Sequence, residues 1–254
     1  MYKNIFKFVS VLFFLMLVSF SQNSFAQLSG NYTIPGTSFA TVKAAFDSLN
    51  LVGVGSGGVT FNINADYTES ISDSVLILTA TGTVSDPIIF QKSGVGVNPL
   101  ITRTDAGTKA TSSIGGQGDA VIIIQGSDYV TFDGIDVAAS QSGIEYGYYL
   151  RKANGTNGCK YITIKNAVID LNKGTSAFVV GIYSSNNSDT SLVSSATGIT
   201  VTSTDGRNEF VTITGNTIQD VFSTIVLRGF NHTTAPYDFY DQNFVVGQNG
   251  AGNI

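Results

Sequence analysis

Residues 161–170, YITIKNAVID, form one of three closely similar segments in this chain. The other two are residues 129–138, YVTFDGIDVA, and residues 210–219, FVTITGNTIQ. The second and fourth positions of each copy are apolar and share one face of a strand, since side chains alternate between the two faces. The sixth position is Gly or Asn, two residues that tolerate positive φ. Each copy therefore predicts a strand, a bend and a second short strand.

The spacing of the copies predicts a stack of similar coils. Their first residues, Tyr129, Tyr161 and Phe210, lie 32 and then 49 residues apart, and the polar segment 184–209 accounts for the longer interval. Repeats a few tens of residues long, with insertions in individual repeats, are typical of solenoids. A β-sandwich does not require the same ten residues to recur in register. We therefore expect an all-β chain folded as a parallel β-helix.

A single helix is predicted ahead of the coils, over residues 38–50. One apolar stripe runs along it and consists of Phe39, Val42, Phe46 and Leu49. Ser38 is a suitable N-cap, and Gly53 or Gly55 is a suitable end point. An open end of a solenoid exposes unpaired backbone and core side chains. We expect the amphipathic helix to cover that end.

The N-terminal residues predict export. Lys3 and Lys7 precede an apolar run over residues 9–20, and small residues lead to a cleavage site after Ala26, as in a secretory signal peptide spanning residues 1–26. No later segment is comparably apolar, so we expect no membrane span after cleavage. Cleavage removes two lysines and no acids and takes the formal charge from −5 to −7, which disfavours nucleic acid as a partner. We expect a secreted, extracellular or cell-surface protein.

The chain has one cysteine, Cys159, and one histidine, His232. A single cysteine cannot form an intramolecular disulfide, so packing alone has to hold this exported domain together. We expect Cys159 to pack as a small residue at a coil corner. His232 lies in the polar loop segment FNHTTAP and is expected to be solvated.

The order of these segments resembles a known superfamily. NYTI at residues 31–34, the predicted helix, GGVTFNI at residues 57–63 and coils of the ITIKNAVID type are similar to the right-handed parallel β-helix, or pectin-lyase-like, superfamily. They particularly resemble the opening of large exported bacterial β-helix repeat proteins. The resemblance implies one β-helix domain over residues 27–254, with an N-terminal cap over about 27–60 and coils over about 61–254. Because the chain stops at Ile254 just after an apolar strand, we expect it to be a truncated piece of a longer solenoid.

The same resemblance raises the possibility of polysaccharide lyase or glycoside hydrolase chemistry. Lyases of this superfamily bind Ca²⁺ through clustered acids and use a basic residue to abstract a proton. The candidates here are Asp133, Asp136 and Lys165, and Ca²⁺ is expected only under this alternative. Asp133 and Lys165 occupy the fifth position of neighbouring copies, so they can equally form a solvated ion pair of little energetic weight. A site beneath the segment 184–209 is a further possibility, and no other metal site is predicted.

Aromatic side chains suggest glycan binding as the stronger functional hypothesis. The candidates are Tyr146, Tyr148, Tyr237 and Tyr240, whose rings can stack on sugars. For the segment 146–150, YGYYL, the alternative is that the rings fill the core. We therefore expect a non-catalytic structural or adhesive protein that binds polysaccharide or cell-surface glycan. The alternative function is a polysaccharide lyase or glycoside hydrolase.

Overall fold

A computed structural model describes residues 26–72, 75–107, 119–176, 178–189, 198–248 and 252–254. The signal peptide predicted over residues 1–26 lies outside the described residues except for Ala26, and the segment 184–209 is described only in part. No helix in the described part of the chain combines the length and the apolar character needed to cross a membrane.

The described chain forms three parallel sheets and one α-helix, α1 (Val42–Val52). Sheet A contains, in spatial order, β1 (Leu28–Ile34), β2 (Val54–Asn64), β5 (Ile88–Ser93), β8 (Asp128–Asp133), β11 (Lys160–Lys165), β14 (Glu209–Thr214) and β17 (Gln242–Val246). Sheet B contains β3 (Thr68–Ile71), β6 (Leu100–Arg103), β9 (Asp136–Ala139), β12 (Val168–Leu171) and β15 (Thr217–Gln219). Sheet C contains β4 (Leu76–Leu78), β7 (Ala120–Gln125), β10 (Tyr146–Arg151), β13 (Val180–Ser184) and β16 (Ser223–Leu227). A single 3₁₀ turn, Thr204–Gly206, precedes β14.

From β2 onward the chain visits the sheets in a fixed cyclic order, A then B then C. Each strand inside a sheet is hydrogen-bonded in parallel to the equivalent strands of the preceding and the following circuit, and the end strands pair on one side. The prediction of an all-β chain with parallel strands is confirmed. The arrangement is compatible with a parallel β-helix.

The three sequence copies lie in register. Thr163 of β11 pairs with Thr131 of β8 on one side and with Thr212 of β14 on the other. In the second short strand, Ile169 pairs with Val137 and with Ile218. The alignment made from the sequence is therefore also the alignment of the strands in space.

The inward face of sheet A builds an aromatic stack at the N-terminal end of the core. The rings of Phe61 and Phe90 are 4.7 Å apart with an interplanar angle of 12°, and those of Phe90 and Phe132 are 5.1 Å apart at 7°. Ile164 and Ile213 continue the same inward row on β11 and β14 and are fully buried. Burial of aromatic rings, with offset stacking in addition, stabilises the sheet across strands.

All four residues of the predicted apolar stripe are buried, but only Val42, Phe46 and Leu49 lie on α1, whereas Phe39 precedes it. The Phe46 ring packs at 4.8 Å from Phe90 and 6.2 Å from Phe132, so α1 lies against the aromatic stack. Gly53, with a φ of 72°, donates its N–H to the Leu49 carbonyl and ends the helix as predicted.

The predicted N-cap at Ser38 is wrong. The helix begins three residues later, because the Gly36 N–H bonds to the Phe39 carbonyl and holds the preceding residues in a turn. Thr41 has extended backbone angles, and its hydroxyl accepts the Ala44 N–H at 3.1 Å. Thr41 is therefore the N-cap.

Candidate functional site

The outward face of sheet A carries an exposed aromatic column, which we define as Tyr129, Tyr161 and Phe210. These residues lie at the same register position on β8, β11 and β14. The rings of Tyr129 and Tyr161 are 4.3 Å apart at 14°, and those of Tyr161 and Phe210 are 4.7 Å apart at 10°. Tyr161 and Phe210 remain 40% and 41% exposed. The column is therefore a continuous apolar strip on the surface.

The backbone of the aromatic column is strained. The φ angles of Tyr129, Tyr161 and Phe210 are 54°, 56° and 56°, in the left-handed region that bulky residues avoid. Such a conformation costs about 1–3 kcal/mol per residue. Gly58 and Asn243 hold the same register position on β2 and β17 with φ of 75° and 58°, so the fold itself can be built there with residues that tolerate this region. The rings must therefore contribute something that offsets the strain, through stacking or through contact with a partner.

A column of hydroxyl groups runs beside the aromatic column. Thr131, Thr163 and Thr212 lie two residues further along the same strands and are paired in register. The three threonines therefore form a ladder across the strands. It places a hydroxyl and a methyl group on each strand, at the roughly 4.8 Å spacing of hydrogen-bonded strands.

The aromatic column ends at a groove. Asn243 of β17 stands where the next ring would be, opposite Phe210. Beside it is an open groove of about 540 Å³, lined by the aromatic residues Tyr161, Phe210 and Phe244, the threonines Thr163 and Thr212, and Asn243 and Val245. None of these lining residues carries a charge. The groove can accept an uncharged ring against Phe210.

The predicted pairing of Asp133 with Lys165 is present. Lys165 Nζ lies 3.0 Å from Asp133 Oδ2, and both side chains are about one-third exposed. Asp133 Oδ1 also accepts a hydrogen bond from the Asn166 amide at 2.7 Å. The pair bridges β8 and β11 at the outward edge of sheet A, as expected of a partly solvated ion pair.

Asp136 is hydrogen-bonded to the backbone of the next circuit. Its Oδ1 accepts the Val168 N–H at 2.7 Å and the Asn98 amide at 2.8 Å, and burial raises its pKa above the ordinary range. Asn98 also donates to the Asn166 carbonyl, so a chain of amides connects Asp136 with the residues around Asp133. Within the described ranges, no group of three or more His, Cys, Asp or Glu side chains is placed to hold a metal ion.

Tyr146 and Tyr148 are fully buried. The Tyr148 hydroxyl donates to the Ile135 carbonyl at 2.7 Å inside the core. Tyr146 packs at 4.8 Å from Tyr183 and 4.9 Å from Tyr149, in a second apolar cluster against sheet C. Neither ring is accessible to a sugar. Tyr146 and Tyr148 therefore belong to the core, and their prediction as glycan-binding residues is wrong. Strands buried on both faces lose the alternation that would have revealed this.

Tyr237 and Tyr240 lie in an aromatic loop cluster around His232 and are half exposed. The Tyr240 hydroxyl donates to the His232 carbonyl at 2.7 Å, and the Phe239 N–H donates to His232 Nδ1 at 3.2 Å. The ring of His232 stacks on Phe239 at 4.6 Å and is 9% exposed, so the expectation that His232 is solvated is wrong. The two tyrosines remain accessible side chains on an ordered loop.

Searches against protein-family models, curated proteins and solved structures found no match to this chain. The pectin-lyase-like similarity therefore remains a resemblance of residue pattern, and the functional argument depends on the geometry of the described residues.

The aromatic column was not among the candidates taken from the sequence, although its residues open all three copies. The first residue of each copy lies two positions before the threonine, so both side chains are expected on the same, outward face of the strand. What the sequence does not show is that the three rings stack and that the backbone is left-handed there. The recurrence of an aromatic residue at one register position was the available indication.

Proposed function

We propose that this chain is an exported, right-handed parallel β-helix protein with a structural or adhesive role at the cell surface, and that it binds glycan through the aromatic column of sheet A. The cyclic order of the three parallel sheets supports the β-helix. The N-terminal pattern of residues 1–26 supports export. The binding role is supported mainly by one observation: Tyr161 and Phe210 carry exposed rings at positions where the backbone is strained.

The chemistry of the face suits sugars. A pyranose ring presents C–H groups on its faces and hydroxyl groups around its rim. Aromatic side chains can contact the apolar face, and the hydroxyls of Thr163 and Thr212 can exchange hydrogen bonds with the rim. Recognition sites generally combine aromatic surface with a few placed polar groups in this way.

The test is glycan binding by the chain without residues 1–26, measured on a glycan array and then by calorimetry. Replacing both exposed rings, Tyr161→Ala with Phe210→Ala, should weaken binding by about tenfold or more, as expected when central aromatic anchors are removed. The matched control is Tyr237→Ala with Tyr240→Ala, which removes two exposed rings from the loop cluster. Unchanged affinity in the column variant, with circular dichroism showing an intact fold, would contradict the proposal.

Turnover is tested separately with a polysaccharide-degradation screen. The proposal expects no cleavage, because Asp133, Asp136 and Lys165 are engaged in the contacts described above. Cleavage that disappears in Lys165→Met or Asp133→Asn would establish the lyase or hydrolase alternative instead.

A further inference from the structure

At one end of the aromatic column, one face of the Phe210 ring has no other ring stacked on it. Phe210 stacks on Tyr161 through the face directed towards β11, so its other face is directed towards β17. On β17 the equivalent position is Asn243, which carries no ring. The side-chain amide of Asn243 donates to Glu209 Oε1 at 3.1 Å. The stack thus ends in a vacant ring position.

The groove at this position is uncharged although the chain is acidic. The nearby Glu209 carboxylate is 4% exposed and is engaged by Arg207 Nη2 at 2.7 Å and by the Gln242 and Asn243 amides. Lys160, at the start of β11, is paired with Asp205 at 2.7 Å. A charged sugar would find neither a free cation nor a free anion among the residues lining the groove. This favours an uncharged ligand.

The groove also has a suitable size and border. Its volume of about 540 Å³ lies within the range of small-ligand sites, about 300–1,000 Å³. Thr163 and Thr212 line one part of it and Val245 another. Ring stacking on Phe210 leaves the rim of a sugar next to the threonine hydroxyls.

We propose that this groove, which we call the Phe210 groove, binds one sugar ring of an uncharged glycan, which stacks on Phe210 and continues the aromatic column. The inference rests on the proposed glycan-binding function and adds to it a location, a ring stacked on the open end of the column, and a ligand class. Oligouronates, the acidic sugars that a pectin-lyase-like protein would suggest, are excluded by the lack of a cation in the groove.

The decisive variant is Asn243→Phe. Tyr129, Tyr161 and Phe210 already hold this register position with φ of 54–56°, so a ring at the Asn243 φ of 58° is sterically acceptable. The new ring would stack on Phe210 and occupy the groove without removing any existing ring. Affinity for uncharged gluco- and manno-oligosaccharides should fall at least about tenfold, as expected when a central contact is lost. Stacking on Phe210 should only partly offset the left-handed strain and the lost Asn243–Glu209 hydrogen bond, so we expect a slightly lower urea midpoint and compare binding under conditions in which the variant is folded.

Leu227→Phe is the matched control, because it adds a ring at a similarly exposed strand position on sheet C and should leave binding unchanged. If Asn243→Phe fails to fold, Thr212→Val provides the second test, since it removes one hydroxyl from the groove at nearly constant shape. We expect it to weaken binding several-fold at unchanged stability.

The outcomes separate the two proposals. Loss of binding in both Asn243→Phe and the Tyr161/Phe210 variant supports the Phe210 groove. Retained binding in Asn243→Phe, but loss in the double alanine variant, would overturn the groove while the column remains the binding surface. Tighter, salt-sensitive binding of oligogalacturonides would overturn the uncharged ligand class. Self-association in sedimentation experiments that Asn243→Phe abolishes would show that a second copy, and not a sugar, fills the groove. Absence of glycan binding in the unmodified chain would overturn both proposals.

Discussion

The Glu69 carboxylate closes the N-terminus of α1. It accepts the Val42 N–H at 2.7 Å and the Lys43 N–H at 3.1 Å, and the Tyr67 hydroxyl donates to it at 2.9 Å. A buried negative charge at this end satisfies two unpaired helix donors and interacts favourably with the helix dipole. Burial, followed by the neighbouring Glu69 charge, raises the pKa of Tyr67, so the phenol stays protonated and keeps donating. One side chain of β3 thereby attaches the helix to sheet B.

Replacing Glu69 with Ala should destabilise the chain by about 1–2 kcal/mol, in the range of other lost N-caps and buried acceptors. Glu69→Gln, which keeps one acceptor oxygen, should cost less. Urea unfolding measures both changes. The control is Asp47→Ala, which breaks only the exposed Lys43–Asp47 pair and should change stability by less than about 0.5 kcal/mol. Equal effects of Glu69→Ala and Asp47→Ala would show that the cap is unimportant.

Cys159 is a buried thiol. Its Sγ donates towards the Ile124 and Arg151 carbonyls at 3.3 Å, in agreement with the prediction that it packs as a small residue. Burial raises its pKa from 9.0 to about 12. The folded state thus favours the neutral thiol, whereas the unfolded chain ionises near the ordinary pKa. The contribution of this thiol to stability is complete below about pH 9 and is lost as the pH rises through the interval up to 12.

The free energy of unfolding should therefore begin to fall above about pH 9, and Cys159→Ala should reduce that slope between about pH 9 and 10, before tyrosines ionise in the unfolded chain. Urea titrations at a series of pH values test this. In parallel, iodoacetamide should leave the native thiol unmodified at neutral pH and label it after denaturation. Rapid labelling of the native chain would contradict the observed burial.

At the scale of elements, the loop that precedes β17 is attached to the end of β10 by a buried ion pair. Lys152 Nζ lies 2.6 Å from Asp241 Oδ1, and the two side chains are 0% and 6% exposed. Asp241 Oδ1 also accepts the Asn208 N–H at 2.9 Å. Burial lowers the pKa of Lys152 and raises that of Asp241, which shows the desolvation cost that the mutual attraction has to offset.

Removing one partner should be much worse than removing both. Asp241→Leu leaves a buried ammonium group and should cost about 3–5 kcal/mol, whereas Asp241→Leu combined with Lys152→Met should cost clearly less. Thermal and urea unfolding of the two singles and the double give the coupling energy. Additive effects of the two single changes would show that the pair is not coupled.

The repeated segments allowed the strands and their register to be predicted, because side-chain alternation and a fixed bend recur at the same positions. The helix stripe was predictable for the same reason, through its 3.6-residue period. The core placement of Tyr146 was only one of two alternatives, since both faces of β10 are buried and the sequence loses its alternation. The groove at Asn243 could not be predicted either, because it depends on which strand follows β14 in the sheet. Local patterns report local geometry, whereas a stack that ends on one particular strand depends on the arrangement of the whole sheet.

At the scale of the molecule, the inside and the outside of sheet A follow different rules. Inward rows hold phenylalanine near α1 and isoleucine further along, and they make one continuous core. On the outside, the aromatic and threonine rows repeat over three strands, whereas another row changes from strand to strand: Asp133 is followed by Lys165 and then by Thr214. The core thus preserves the stacking of circuits, while the outer rows are free to vary from one circuit to the next. The extent of an aromatic surface on such a scaffold therefore depends on which circuits carry an aromatic side chain on the outward face of sheet A.

In the proposed β-helix, the described strands pair between neighbouring circuits, which has a mechanical consequence. The hydrogen bonds between strands lie along the direction in which the circuits stack, so tension between the first and the last circuit loads them in series. A terminal circuit pairs on one side, so it can detach by breaking one set of strand pairs while the remaining circuits keep theirs. Under force the molecule would unfold stepwise from one end. Each detached circuit would lengthen the unfolded chain while the interior circuits stayed folded.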